Sequence, residues 1–274
     1  MQIWQSVILG IIEGFTEFLP ISSTAHLIIS SDLLRIPSSD FLKTFNISIQ
    51  LGAILAVVLL YWKKILYSKK IISRIITAFI PTSIIGFTIY GIAKNYLMDS
   101  LLLIAFTLFT GGIILIIFEK RYKKKNKLKT TIDDEKNIEV NNETELEKMT
   151  LKQSIIIGIV QSLAIVPGVS RSAATIIGGL SLGLSRKAIV EFSFLLAIPT
   201  MFGATFLDIY KSRESLLLLS SNDIVVWIIG FIISFFTALI GIKFLLKYIK
   251  KNDFIPFAWY RIGLGIIIAL FIFI

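Results

Sequence analysis

The chain has 274 residues, 55% hydrophobic and only 17% charged, with a formal net charge of +10 and a mean hydropathy of +0.82. That apolar excess is more than a soluble core uses, so the composition predicts a polytopic membrane protein. The absence of cysteine excludes disulfides, thiolate metal sites and cysteine nucleophiles, and a single histidine, His26, excludes any mechanism that needs two imidazoles.

The N-terminus, Met-Gln-Ile-Trp-Gln, lacks a basic stretch, and the first apolar run contains Glu13 and Glu17. This first segment is therefore expected to be retained rather than cleaved as a signal peptide. Residues 1–40 are apolar but broken by Pro20 and by acids, hydroxyls and His26, which cannot face lipid. Irregular backbone at membrane depth is tolerated only where protein or a water-filled cavity satisfies it, so the stretch reads as a re-entrant helical hairpin. Three apolar runs long enough to span a bilayer follow, at 41–62, 74–93 and 101–119.

Residues 120–150 form a charged linker, with seven basic residues in 120–129 followed by seven acidic ones in 133–147. Such blocks read as a solvated cytosolic loop attracted to anionic lipid at its basic end. Thr150-Leu-Lys-Gln153 matches a capping box and predicts a helix start. Residues 153–185 then form a second interrupted apolar stretch. Ser154-Ile-Ile-Ile-Gly158 echoes Ser6-Val-Ile-Leu-Gly10, and Pro167-Gly168-Val-Ser170-Arg171-Ser172-Ala-Ala-Thr175 falls where the first copy has its Pro-Ile-Ser-Ser-Thr. Further spans are predicted at 188–210, 222–247 and 256–274, with Pro81 and Pro199 as kinks inside two of the six.

The basic residues orient this layout. Five lie in 63–74, ten in 120–152 and four in 243–251, whereas the opposite side receives Arg35, Lys43, Lys94, Lys211 and Arg213. The positive-inside rule then places the N-terminus and the loops near 94–100 and 211–222 outside. A hairpin plus three spans makes the second half enter from the other side. The predicted fold is thus an all-α integral membrane protein, six transmembrane helices plus two re-entrant helical hairpins in an inverted-topology repeat: 1–119, the linker 120–150, and 151–274. In such folds the site lies near the midplane where the interrupted segments meet.

Glu13 and Glu17 are four apart, which puts both on one face of a helix. Two close carboxylates in low dielectric share a proton or bind a cation, and neither has a basic neighbour in sequence. Gln161 and Ile165 hold the equivalent positions in the second copy, so only the first can supply acid. Arg171, flanked by Ser170 and Ser172 at an expected helix start just after Pro-Gly, with Thr175 one turn on, gathers donors suited to phosphate. A salt bridge to a glutamate is the plainer role for it. Ser22, Ser23, Thr24 and His26 follow Pro20 at another loop-to-helix turn, where an imidazole could activate a serine or act as general acid or base.

Glu13-Gly-Phe-Thr-Glu17-Phe-Leu-Pro20-Ile-Ser22-Ser23-Thr24-Ala-His26 and the Pro167–Thr175 stretch resemble the two signature motifs of the bacterial undecaprenyl-diphosphate phosphatases of the bacitracin-resistance family. Further similarity runs through Phe45–Trp62, Glu191–Pro199 and Phe254–Arg261. Ala25 stands where that family usually has Gly, and the charged linker is longer than usual. The resemblance implies a hydrolase of the bacterial inner membrane that removes the terminal phosphate of a C55 polyisoprenyl diphosphate on the outer side. It implies Glu13 and Glu17 as holders of a divalent cation, Mg2+ or Ca2+. Ser23 would be the nucleophile with His26 as its acid/base partner, unless water attacks directly. Arg171 and Glu17 would also be catalytic, with Ser22, Thr24, Ser170, Ser172 and Thr175 binding substrate. No nucleic-acid partner is expected, and a homodimer stays open. Inverted repeats with broken helices also suit a transporter or lipid flippase. A purely structural subunit gives no reason to bury Glu13, Glu17, His26 and Arg171.

Overall fold

The computed structural model describes residues 1–97, 100–130, 145–216 and 219–273, which are helical with short connections. The chain opens with α1 (Ile3–Thr16) and α2 (Ser23–Leu33), followed by the long helices α3 (Asp40–Tyr67), α4 (Lys69–Ile92) and α5 (Leu101–Thr130). A one-turn α6 (Glu145–Lys148) precedes α7 (Leu151–Ser162) and α8 (Arg171–Ser181). Then come α9 (Arg186–Lys211), the short α10 (Arg213–Leu216), α11 (Ser221–Tyr248) and α12 (Ile255–Phe273). Among the described residues, six helices are long and apolar enough to cross a membrane, namely α3, α4, α5, α9, α11 and α12, as the apolar runs predict. The protein is a multi-pass integral membrane protein. Pro81 and Pro199 lie inside α4 and α9.

The six long helices are not equivalent. The apolar windows of α3 and α9 are 61% and 56% buried, against 22–33% for the other four. The first two therefore form an inner pair, packed on each other, with α11 against α3 and α4 against α9, while α5 and α12 pack together and α5 also meets α8. Exposed aromatics such as Phe87, Phe106, Phe206 and Phe271 cover the outer faces, as expected where the solvent is lipid.

The two short helical hairpins, α1–α2 and α7–α8, match each other position for position. Gln2 and Thr150 each donate a backbone N–H to the side chain three residues on, Gln5 Oε1 and Gln153 Oε1, at 2.8 Å. The same glutamines reach across their hairpins to Leu34 O and Leu182 O, both at 3.2 Å. Ser22 and Ser170 cap α2 and α8 with the same positive φ of 72°. Arg35 and Gly183, just past the second helices, also have positive φ. The capping box at Thr150 is present as predicted.

Each hairpin lies against a helix of the other half, α1 on α11 and α7 on α4. These contacts need small residues, because a Cβ on Gly14 would sit 2.3 Å from Ser234 O and one on Gly158 would sit 2.0 Å from Ala78 O. Close approach through glycine is a standard means of helix packing where no hydrophobic effect drives association. The same pairing logic joins α5 to α12.

The linker departs from expectation. α5 continues without a break to Thr130, so the basic run of residues 120–129 is a helical extension rather than a loop. Lys, Arg and Leu are all good helix formers, and a helix already propagating needs no new nucleus. Most of the acidic run lies outside the described residues.

Candidate active site

The tips of the two hairpins meet. In the first, Phe18 is fully buried and packs edge-on against Phe194 of α9, with ring centroids 5.1 Å apart. That anchor fixes the neighbouring Glu17, which continues the last turn of α1 with its N–H on Glu13 O at 2.9 Å. In the second, the chain turns through Pro167 and Gly168, whose φ is +90°. A Cβ on Gly168 would lie 2.0 Å from Thr107 Oγ1, so this turn admits only glycine.

Glu17 joins the two hairpin tips. Its Oε1 accepts from Arg171 Nη2 at 3.0 Å, and its Oε2 accepts from Ser23 Oγ at 2.5 Å. Arg171 is further held by Ser193, its Nη1 donating to the carbonyl oxygen at 2.8 Å. Ser172 Oγ donates to Leu19 O at 2.8 Å, a second bond from hairpin to hairpin. Arg261 of α12 makes a third connection. Its guanidinium, 1% exposed, donates to Pro20 O in one tip, to Gly168 O and Val169 O in the other, and to Thr107 O on α5. Gly111 leaves room for it, since a Cβ there would lie 2.1 Å from Arg261 Nη2.

A cavity of about 420 Å³ opens beside these tips. Glu17, Ser22, Ser23, Thr24, Ser170 and Arg171 lie on its wall at one end. Elsewhere it is lined largely by apolar residues of α4 and α9, including Phe79, Phe87, Met201 and Leu207, with Gln50, Thr82 and Gln161 as polar insertions. Ser22 and Ser170, both non-glycine residues with positive φ, precede Ser23 and Arg171 directly; such strain concentrates at functional sites.

The other predicted site residues lie elsewhere. Ser172 and Thr175 are buried behind the wall: Thr175 Oγ1 is spent on Arg171 O and Ser172 O, both at 3.0 Å, and on Ser193 Oγ at 2.6 Å. Their hydroxyls brace the arginine and the hairpin junction. His26 is not brought to Ser23 and does not line the cavity. Its Nδ1 lies 2.7 Å from Ser22 O and its Nε2 lies 2.7 Å from Tyr260 Oη. Because a carbonyl only accepts, Nδ1 carries the hydrogen and Nε2 accepts from the tyrosine. The expected Ser23–His26 pair is thus replaced by Ser23–Glu17: Ser23 opens α2, and the turn through Ser22 directs its hydroxyl back across the tip.

Glu13 is fully buried, and its carboxylate oxygens meet no donor among the described residues but lie against the Glu17 carboxylate. It lies close enough to Glu17 for the two charges to act on each other. Among the described residues no group of three or more His, Cys, Asp or Glu side chains forms a metal cage. A pair of carboxylates, one with both oxygens uncommitted, is nevertheless the protein share that a hard cation such as Mg2+ takes when water and substrate phosphate supply its remaining ligands. The donor set fits.

Four contributors escaped the sequence patterns: Ser193, Tyr260, Arg261 and Thr82, which accepts from Gln161 Nε2 at 3.2 Å. Only Arg261 carries a usable signal, as an ionisable residue within the last apolar run.

The family model described as "Bacitracin resistance protein BacA" matches residues 6–267. A protein named undecaprenyl-diphosphatase from Aquifex aeolicus is 46% identical over 98% of both chains. One of the same name from a Sulfurihydrogenibium species is 48% identical over 96% of both. A third, from Campylobacter jejuni, is 46% identical over 96% of this chain and 91% of its own.

Proposed function

Since the chain belongs to the bacitracin resistance protein BacA family, we propose that it is an undecaprenyl-diphosphatase, a membrane hydrolase that removes the terminal phosphate of undecaprenyl diphosphate and regenerates undecaprenyl phosphate for cell-wall precursors. The observation that carries this is the convergence of Ser23, Glu17 and Arg171, from two hairpins, at the polar end of an otherwise apolar cavity. A long isoprenoid lies along apolar helix faces while its diphosphate reaches the charged end.

In this reading Ser23 Oγ attacks the terminal phosphorus and Glu17 Oε2, already its hydrogen-bond acceptor, takes the proton. The bond from that phosphorus to the bridging oxygen breaks, and the lipid monophosphate leaves with the electron pair. Water then hydrolyses the phosphoserine. Arg171 neutralises charge on the transferred group, with Nε, buried and without a partner among the described residues, as the spare donor. Ser22, Thr24 and Ser170 line the same wall, and His26 acts through Ser22 rather than on Ser23. Glu13 with Glu17 would hold a divalent cation, Mg2+ or Ca2+, which neutralises phosphate charge when bound.

The two halves, 1–119 and 151–274, are read as an inverted-topology repeat whose short hairpins re-enter the membrane; the matching caps and cross-hairpin bonds support this. The cavity is lined by the start of α3 and the later halves of α4 and α9, the ends away from the basic loops, which supports a site facing the outer side of the bacterial inner membrane. The relatives' names favour the phosphatase over a flippase. Phosphate release from detergent-solubilised protein tests the point, since without a membrane a carrier has nothing to do. No release from undecaprenyl diphosphate in the presence of Mg2+ or Ca2+ would overturn the assignment.

A further inference from the structure

A second cavity, of about 440 Å³, adjoins the first, and the two share Thr24, Ile47 and Gln50 as common wall. Its character is different. Ser31, Asp32 and Ser38, from α2 and the connection after it, face Lys43 and Asn46 at the start of α3. Ser31 Oγ and Asn46 Oδ1 are buried and have no partner among the described residues. Leu27, Ile28, Ile36, Leu42 and Leu101 complete the wall, but a cavity onto which buried polar groups open unsatisfied is one that takes water, and this one lies at the end of α3 away from the basic loops.

Resting on the proposed hydrolase, the chemistry demands two exits. The lipid monophosphate stays in the membrane, but inorganic phosphate is a small, strongly hydrated anion that cannot leave between Phe87 and Leu207 into lipid without a large desolvation cost. We infer that this second cavity is the aqueous route by which inorganic phosphate leaves the site, passing Thr24 and Gln50. Its walls suit passage rather than retention. One lysine opposed by one carboxylate gives a polar path without the convergent donors that Arg171 and its neighbours present to the substrate, so the ion is not trapped on the way out.

The test is to obstruct the second cavity without touching the reacting groups. Asn46→Trp fills it from α3. In purified protein the first turnover of undecaprenyl diphosphate to monophosphate, followed by rapid quench, should stay within about twofold of wild type, while phosphate release, followed with a fluorescent phosphate sensor, slows about tenfold and limits kcat. Release that keeps pace with cleavage at the wild-type rate would overturn the route. Equal slowing of both would also overturn it, by making Asn46 part of the reaction site. Should the tryptophan variant not fold, Lys43→Glu leaves the passage open but reverses the charge on its wall. Release then slows severalfold at low ionic strength and recovers in about 1 M salt, where the screening length falls to roughly 3 Å; no salt-dependent change in release relative to cleavage counts against the route. A wild-type protein that cleaves nothing would sink the hydrolase itself, whereas a normal wild type with both variants unaltered sinks only the exit.

Discussion

Arg171 Nη2 and Glu17 Oε1 form an ion pair of 3.0 Å, the two side chains only 8% and 4% exposed. Neither half of the chain owns the site. Glu17 and Ser23 come with the first hairpin and the guanidinium with the second, so the pair measures whether the halves are assembled. Buried pairs of this kind contribute little net stability, but losing one partner costs about 3–5 kcal/mol because the other is left uncompensated.

Arg171→Lys keeps the charge and loses the fork. A lysine ammonium cannot hold Glu17, Ser193 O and a phosphate oxygen in one plane. A fall of about 10²–10³ in kcat is expected, the usual loss for one transition-state donor, measured as phosphate release by protein whose thermal unfolding in detergent is unchanged. Near-wild-type turnover would remove Arg171 from phosphate binding.

Ser23→Ala is expected to abolish phosphate release and leave substrate binding largely intact, because an attacking group acts mainly in the transition state. Ser22→Ala is expected to be milder, with loss of a helix cap worth about 1 kcal/mol. The direct observation is a phosphorylated Ser23 trapped by rapid quench and located by mass spectrometry. Substantial turnover in Ser23→Ala would show that water attacks directly.

Glu13 tests the cation. Glu13→Gln is expected to raise the Mg2+ or Ca2+ concentration needed for half-maximal activity by at least about tenfold, a typical penalty for disturbing a metal's surroundings, and chelation is expected to silence the wild type. An unchanged metal dose response in the variant would favour a proton shared between Glu13 and Glu17 instead.

Tyr260 should report on His26. Tyr260→Phe removes the hydroxyl that donates to Nε2, a bond worth about 0.5–1.5 kcal/mol or a factor of roughly two to ten. If His26 works through that bond, the double variant with His26→Ala is no slower than His26→Ala alone. Fully additive losses would separate the two residues.

Much of the molecule is written in its hydrophobic pattern. All six spans, the helix starts at Thr150 and Arg171, and the Ser22 cap follow from apolar run length and local hydrogen-bonding chemistry, which act within a few residues. Side-chain pairing does not. His26 lies three residues beyond Ser23, so both belong to one helix and their spacing invites a dyad. Their hydroxyl and ring nitrogens are nevertheless committed to different partners, and Tyr260, which fixes the ring, is 234 residues away. Thr175 likewise lies on the expected helix, yet its hydroxyl turns inward to Ser193. The helical course of the basic run was missed for another reason: composition does not separate a charged loop from a charged helix, and α5 simply continues.

The separation of 154 positions between Glu17 and Arg171 also sets an order of events during synthesis. The first hairpin reaches the translocation machinery with two carboxylates and no counter-charge, and α3, α4 and α5 are all made before the guanidinium exists. Until then Glu17 has Ser23 beside it but not the cation that joins it to the second hairpin. Arrival of α8 supplies the guanidinium that Glu17 Oε1 accepts from. Docking of the first hairpin tip is therefore coupled to completion of the second, and a chain that stops before Arg171 has neither the ion pair nor the Ser172–Leu19 bond that join the two tips.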